Sequence, residues 1–170
     1  MKTQDIIWII IIIAMMAFIF GSMCAVKAVD DTTNDTMEQI TTAAEGAAER
    51  YDIPVELILA VIETESTYRP DAKNGSCRGL MQIHTVNLDW LERDFGRELD
   101  LYDIEDNVYA GAYILAGYYH KYDIHQALMA YNGGQGYMRK MVRKGYESSK
   151  YSRKVVRIME EMKIEDIGRM

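Results

Sequence analysis

The chain has 170 residues, 49% of them hydrophobic, and a formal charge of -7. That length buries one sizeable core, and the acidic total argues against nucleic acid as the main partner. Alternating Val/Ile/Thr segments are missing while runs of Ala, Leu, Met, Glu and Lys recur, so the composition predicts an all-α, mainly helical single domain.

In chain order, residues 1–5 are a short flank. From Ile6 to Val26 there are 21 residues without a charge, bounded by Asp5 and Lys27. At about 1.5 Å per residue they span roughly 30 Å, the thickness of a bilayer core. The segment reads as a transmembrane anchor. A cleaved signal peptide competes, with Val26-Lys27-Ala28 as the cleavage site, but the apolar run exceeds a signal core of roughly 7 to 15 residues. Lys2 before the segment and Asp30 and Asp31 after it favour an inside N-terminus. Either reading sends the rest of the chain out of the cytoplasm, as a single-pass membrane protein or as a secreted one. With Cys24 in a membrane, no bridge to Cys77 is expected.

Residues 27–35 read as a polar linker, 36–160 as the domain and 161–170 as a tail. Thr36-Met-Glu-Gln39 fits a capping box that opens a first amphipathic helix through Ile40, Ala44 and Tyr51. Pro54 to Ser66 reads as a second helix. Pro70, Gly75 and Gly79 make the following stretch a loop. One helix is expected over Thr85 to Glu98 and a central one capped by Asp106, with the stripe Val108, Ala112, Leu115, Tyr119 and Tyr122. A short helix over Ile124 to Tyr131 should stop at Asn132-Gly133-Gly134, and a last helix should cover Ser149 to Met162 with Tyr151 turned to the core.

The helix over 54–66 concentrates the chemistry. Leu57, Ile58, Val61, Ile62 and Glu65 fall on one stripe, so Glu65 extends an apolar face, while Glu63 sits roughly 200° away. Burial disfavours the anion and raises the pKa, which suits a general acid near neutral pH. A glutamate at a helix end, or half of a buried ion pair, has the same pattern. His84, His120 and His125 lack ligand spacing, so neither a metal nor a cofactor is indicated. From Arg139 to Arg157 eight Lys or Arg stand against Glu147 alone. That run reads as a solvated face or, beside a cleft, as a seat for an acidic polymer.

Glu65-Ser66 at a helix end, Gly79-Leu-Met-Gln-Ile83, Asn107-Val-Tyr-Ala-Gly111, Ala130-Tyr-Asn-Gly-Gly134 and a late Tyr151 together resemble the ordered motif set of the soluble lytic transglycosylase (SLT) family. The departures are His84, where many members have Pro, and Gly133, where Ala is common. The resemblance implies a lysozyme-like domain that cleaves the MurNAc-β-1,4-GlcNAc bond of peptidoglycan glycan strands and leaves 1,6-anhydromuramyl ends. Glu65 would be its catalytic carboxylate. Ser66, Asn74 (with Ser76 as substitute), Met81, Gln82, Tyr131, Asn132 and Tyr151 would bind substrate. Secretion, conjugation or phage assemblies are the partners such domains serve. Two other readings compete: a hydrolase similar to goose-type lysozymes, with Asp71 or Asp89 as its second acid, and a non-catalytic glycan-binding or scaffold module.

Overall fold

Apolar residues at helical spacing, not strand alternation, dictate most of the backbone, and the computed structural model describes it over residues 34–169, with side chains as far as Ile164. The segment 6–26 lies outside the described residues, and among those described no helix is long and apolar enough to cross a membrane. Helix α1 covers residues 34–51, opening two residues before the expected capping box. It buries Ile40, Ala43, Ala44 and Ala47.

Helix α2 is Val55–Ser66, with Pro54 at its N-cap. A proline there sacrifices no intrahelical bond, because the first-turn N–H groups have none to make. Its carbonyl accepts from Leu57 N at 3.1 Å and Ile58 N at 3.4 Å. Leu57, Ile58, Val61 and Ile62 are fully buried, each contributing about 1.5–3 kcal/mol. The helix stops where Thr67 (φ 54°) and Tyr68 (φ 58°) turn left-handed in succession.

The expected loop after α2 contains a small antiparallel sheet: β1 (Lys73–Asn74), β2 (Cys77–Arg78) and β3 (Ile83–His84) in that order. The register pairs Asn74 with Cys77 and Arg78 with Ile83. Two-residue strands carry no period, so pattern reading misses them. The helix expected over 85–98 is shorter, a 3-10 turn at Thr85–Asn87 followed by α3, Leu88–Phe95, ended by Gly96 at φ 69°. Helix α4 is Ile104–Tyr119, and its cap is Asp103, which accepts from Asp106 N. Asp106 is drawn away from capping by Arg97 and by Asp100 N. Burial pushes its carboxyl up, but these two partners outweigh it and hold it below the usual range.

Helix α5 spans Ile124–Arg143 as two helical segments, the first ending at the expected Asn132-Gly133-Gly134 because Gly134 leaves helical geometry. Gly134 takes φ 80°, ψ 161° and kinks it, and helix formers from Gln135 onward restart the ladder. Helix α6 is Lys150–Arg169. Ser149 and Ser152 cap it reciprocally, with Ser152 N donating to Ser149 Oγ at 3.0 Å and Ser149 N to Ser152 Oγ at 2.9 Å. His125 Nδ1 lies 3.1 Å from Ser152 Oγ, tying this start to α5. Helix α6 packs on α2 and α5, and α5 packs on α4. The main core joins α1, α2, α4 and α6, and a second cluster of Ile83, Leu91, Leu99, Leu101 and Ala110 holds the sheet and α3 against α4.

Candidate active site

Because α2 packs on α6, the end of one helix meets the first turn of the other. Tyr151 Oη donates to Glu65 Oε1 at 2.7 Å. Burial is the largest influence on the Glu65 carboxyl and raises its pKa; the Tyr151 hydrogen bond and the Lys154 ammonium lower it without cancelling the rise. The C-terminal end of α2, with its outward carbonyls, also disfavours an anion. Burial, then the Glu65 charge, pushes the Tyr151 phenol well above its usual range, so it stays a proton donor. The Cys77 thiol on β2 is likewise raised, by burial first and by Glu65 second, and is held as the thiol.

The turn Gly79-Leu80-Met81-Gln82 is bolted down from both sides. Met81 N donates to Asn107 Oδ1 of α4 at 2.8 Å, and Met81 O accepts from Tyr131 Oη of α5 at 2.8 Å. Met81 itself is fully buried. Gln82 sits at φ 49°, a strained value for a non-glycine. Its Nε2 donates to Gly79 O at 2.8 Å and Ala72 O at 3.1 Å, so that end of the amide holds the loop and Oε1 is the end left for a ligand. Tyr131 is raised well above its usual pKa by burial, then by Glu65 and Cys77.

The other expected contacts differ in what they offer. Ser66 is buried and donates to Ile62 O at 3.0 Å, closing the helix. Asn74 is exposed on β1 across from Cys77. Asn132 is exposed and belongs to two clefts. One, of about 960 Å³, is lined by Tyr51, Trp90, Tyr113, Tyr118 and Tyr131 together with His84 and Val86. The other, of about 670 Å³, contains Tyr151. Aromatic faces with a few polar groups suit the flat apolar faces of sugar rings. Thus Glu65, Met81, Tyr131 and Tyr151 are linked by direct bonds or mutual charge, Gln82 joins them only as the chain neighbour of Met81, Asn132 joins the clefts, and Ser66 and Asn74 stand at the margin.

Sequence reading missed Trp90, Tyr113 and Tyr118 as cleft residues, Asn107 as the anchor of the turn, and Lys154 as a charge on Glu65. Tyr113 and Tyr118 lie off the apolar stripe of α4, which was the available signal. His84 also finds a local reason: its Nδ1 accepts from Val86 N at 3.1 Å and caps the 3-10 turn.

Tyr151→Phe gives the first kinetic expectation. Losing the donor should lower kcat roughly 10- to 100-fold. It also removes an influence that lowers the Glu65 pKa, so the alkaline limb of kcat should move to higher pH. An unshifted limb with full kcat, accompanied by a large drop in thermal stability, would assign Tyr151 to packing alone.

A helical domain with a half-buried carboxylate bonded to a phenol that lines a basic cleft, that cleft sharing Asn132 with an aromatic one, defines the class, and the chain belongs to the Transglycosylase SLT domain family, whose model matches residues 42–154. It is 34% identical over 106 residues to membrane-bound lytic murein transglycosylase C of Serratia proteamaculans, a match covering 53% of this chain and 30% of that protein. It is 32% identical over 90 residues to a transglycosylase of Enterobacteria phage PRD1, covering 52% of this chain and 32% of the phage protein. The chain thus spans about a third of the length of these curated relatives. An X-ray structure of an inactive mutant of the lytic transglycosylase Slt from Pseudomonas aeruginosa has the same fold, with a TM-score of 0.55 at 21% identity over 69% of this chain and 20% of that one.

Proposed function

We propose that this chain is a peptidoglycan lytic transglycosylase that cleaves the MurNAc-β-1,4-GlcNAc bond and leaves 1,6-anhydromuramyl ends. The observation that carries the reading is Glu65, raised by burial and bonded to Tyr151. A glycosidase that delivers water uses a pair of carboxylates; a lone carboxylate must serve twice. Protonated Glu65 gives its proton to the glycosidic oxygen as the bond to C1 breaks, and the N-acetyl carbonyl of the muramyl residue stabilises the cation. The resulting carboxylate takes the proton of the C6 hydroxyl as that oxygen closes on C1. Proton and oxygen balance with no water consumed. Tyr151 follows Glu65 through both states, and Gln82, Tyr131 and Asn132 hold the sugars with Asn74 as an outer contact, while the buried Met81 and Ser66 support the turn and the helix end from behind.

The apolar segment 6–26 would anchor the domain on the extracytoplasmic side of the cell membrane, where its substrate lies. The relative named as membrane-bound supports that placement, and the phage relative, named as a transglycosylase, supports the activity. Mass spectrometry of fragments released from purified peptidoglycan by the full chain in detergent tests the chemistry. Anhydromuramyl ends, lighter by one water than reducing ends, are expected. Reducing ends would mean a hydrolase and a second acid such as Asp71 or Asp89, and no fragments would leave a binding module.

A further inference from the structure

We propose that the second cleft is a binding site for the carboxylates of the peptide stem carried by the muramyl residue, an inference that rests on the transglycosylase reading above. Lys150, Arg153, Lys154 and Arg157 line it. They recur at i, i+3, i+4 and i+7 and therefore share one face of α6. In a chain with 26 acidic and 19 basic residues, four cations on two turns are a local reversal of sign. Like charges at this spacing destabilise a helix, so the face is better satisfied with an anion on it. Among the described residues Arg157 alone of the four is in a contact ion pair, with Glu161 at 2.8 Å, while Lys154 acts on Glu65 from a longer range. Arg153 donates to Ser148 Oγ.

The location selects the ligand. The cleft contains Tyr151, which bonds Glu65, and shares Asn132 with the aromatic cleft. A glycan strand seated across Glu65 is itself uncharged along its sugar rings, and the aromatic cleft suits those. Its anionic parts are the branches at the muramyl residue. A volume of about 670 Å³ admits several residues of such a branch, and four cations can meet several carboxylates in place of one. None of the other four cations of the 139–157 run lines this cleft, and two of them, Arg139 and Arg143, line a separate hollow with Tyr122 and Met138.

The test compares kcat/KM of the full chain in detergent on three substrates: peptide-bearing strands, strands stripped of peptide by an amidase, and strands whose stem carboxylates are amidated. Peptide-bearing strands should be preferred over both others by about tenfold, equivalent to about 1.4 kcal/mol, and the preference should shrink as salt rises. The double variant Lys150→Glu, Arg153→Glu should bring the preference close to one, through KM more than kcat. Lys150→Arg should keep it, and Lys150→Gln, at an exposed position, covers the case in which the double variant does not fold. Equal kcat/KM on all three substrates, or a preference that survives charge reversal, would overturn the proposal. Absence of fragments from every substrate would instead count against the transglycosylase reading itself.

Discussion

Glu65→Gln should lower the release of anhydromuramyl fragments by about 10³-fold or more, since one group supplies both the proton that leaves and the base that reclaims one. Glutamine keeps an oxygen that accepts from Tyr151, so the helix contact survives. The substitution should also stabilise the fold at neutral pH. The folded pKa of Glu65 is raised above its unfolded value, so the folded state binds more protons between the two values and stability falls as pH rises through the folded pKa. Its contribution is fully present below the unfolded pKa. The variant, which cannot ionise, escapes that loss. Its melting temperature should exceed that of the parent at pH 7 to 8, with the margin shrinking toward pH 4. Glu63→Gln is the control and should change turnover little, because the Glu63 charge acts on Tyr68, raised to about 12 chiefly by burial. Full activity in Glu65→Gln would end the assignment.

The partial burial of Glu65 was legible in the sequence because a stripe of Leu57, Ile58, Val61 and Ile62 continues into it. Its partner was not legible by the same means. Tyr151 reads as a core-facing tyrosine, and only the packing of α6 on α2 turns its hydroxyl to Oε1. Where two local signals competed, tertiary partners decided. Asp103 and Asp106 are both plausible caps, and Arg97 claims Asp106 from a part of the chain that local rules do not consult. Gly133-Gly134 reads as a stop because glycine weakens a helix by about 1 kcal/mol. The first segment does end there, at Gly134, and what the stop signal did not announce is the second helical segment beyond it, which buries Met138. The sheet escaped for a simpler reason, its strands being too short to alternate.

The aromatic cleft shows the same limit from the other side. Trp90 and Tyr113 pack in the second core cluster while also facing the cleft, so their spacing answers to both roles at once. Backbone strain helps to separate them. Thr67, Tyr68 and Gln82 are three of the four described non-glycine residues at positive φ, and all lie in the segments following Glu65 or in the Met81 turn. Strain gathers where the surrounding bonds over-determine the chain, and here those bonds belong to the site.

Asn107→Ala should show how much of the site depends on one side chain outside it. Asn107 is 1% exposed. Its Nδ2 donates to Leu101 O at 2.7 Å and Arg78 O at 3.0 Å, while Oδ1 accepts from Met81 N at 2.8 Å. Truncation leaves one buried donor and two carbonyls without this partner, a loss of about 3 kcal/mol or more, read as a fall in melting temperature of roughly 10 °C. Gly79→Ala should be as damaging, because its φ of 73° is strained for any side chain and the new Cβ would collide with Asn107 Nδ2 and Leu101 O. Asn107→Asp separates hydrogen bonding from shape. An aspartate there is buried and faces two carbonyls, so its folded pKa is raised above the unfolded value of about 3.9. Its protonated form can donate to one carbonyl and accept from Met81 N, a contribution present below the unfolded pKa and lost as pH rises through the folded one. Urea melts should therefore place Asn107→Asp nearer the parent at pH 4 and near or below Asn107→Ala at pH 7. A loss under about 1 kcal/mol in Asn107→Ala, or a pH-independent Asn107→Asp, would show that the Met81 turn is held by packing alone.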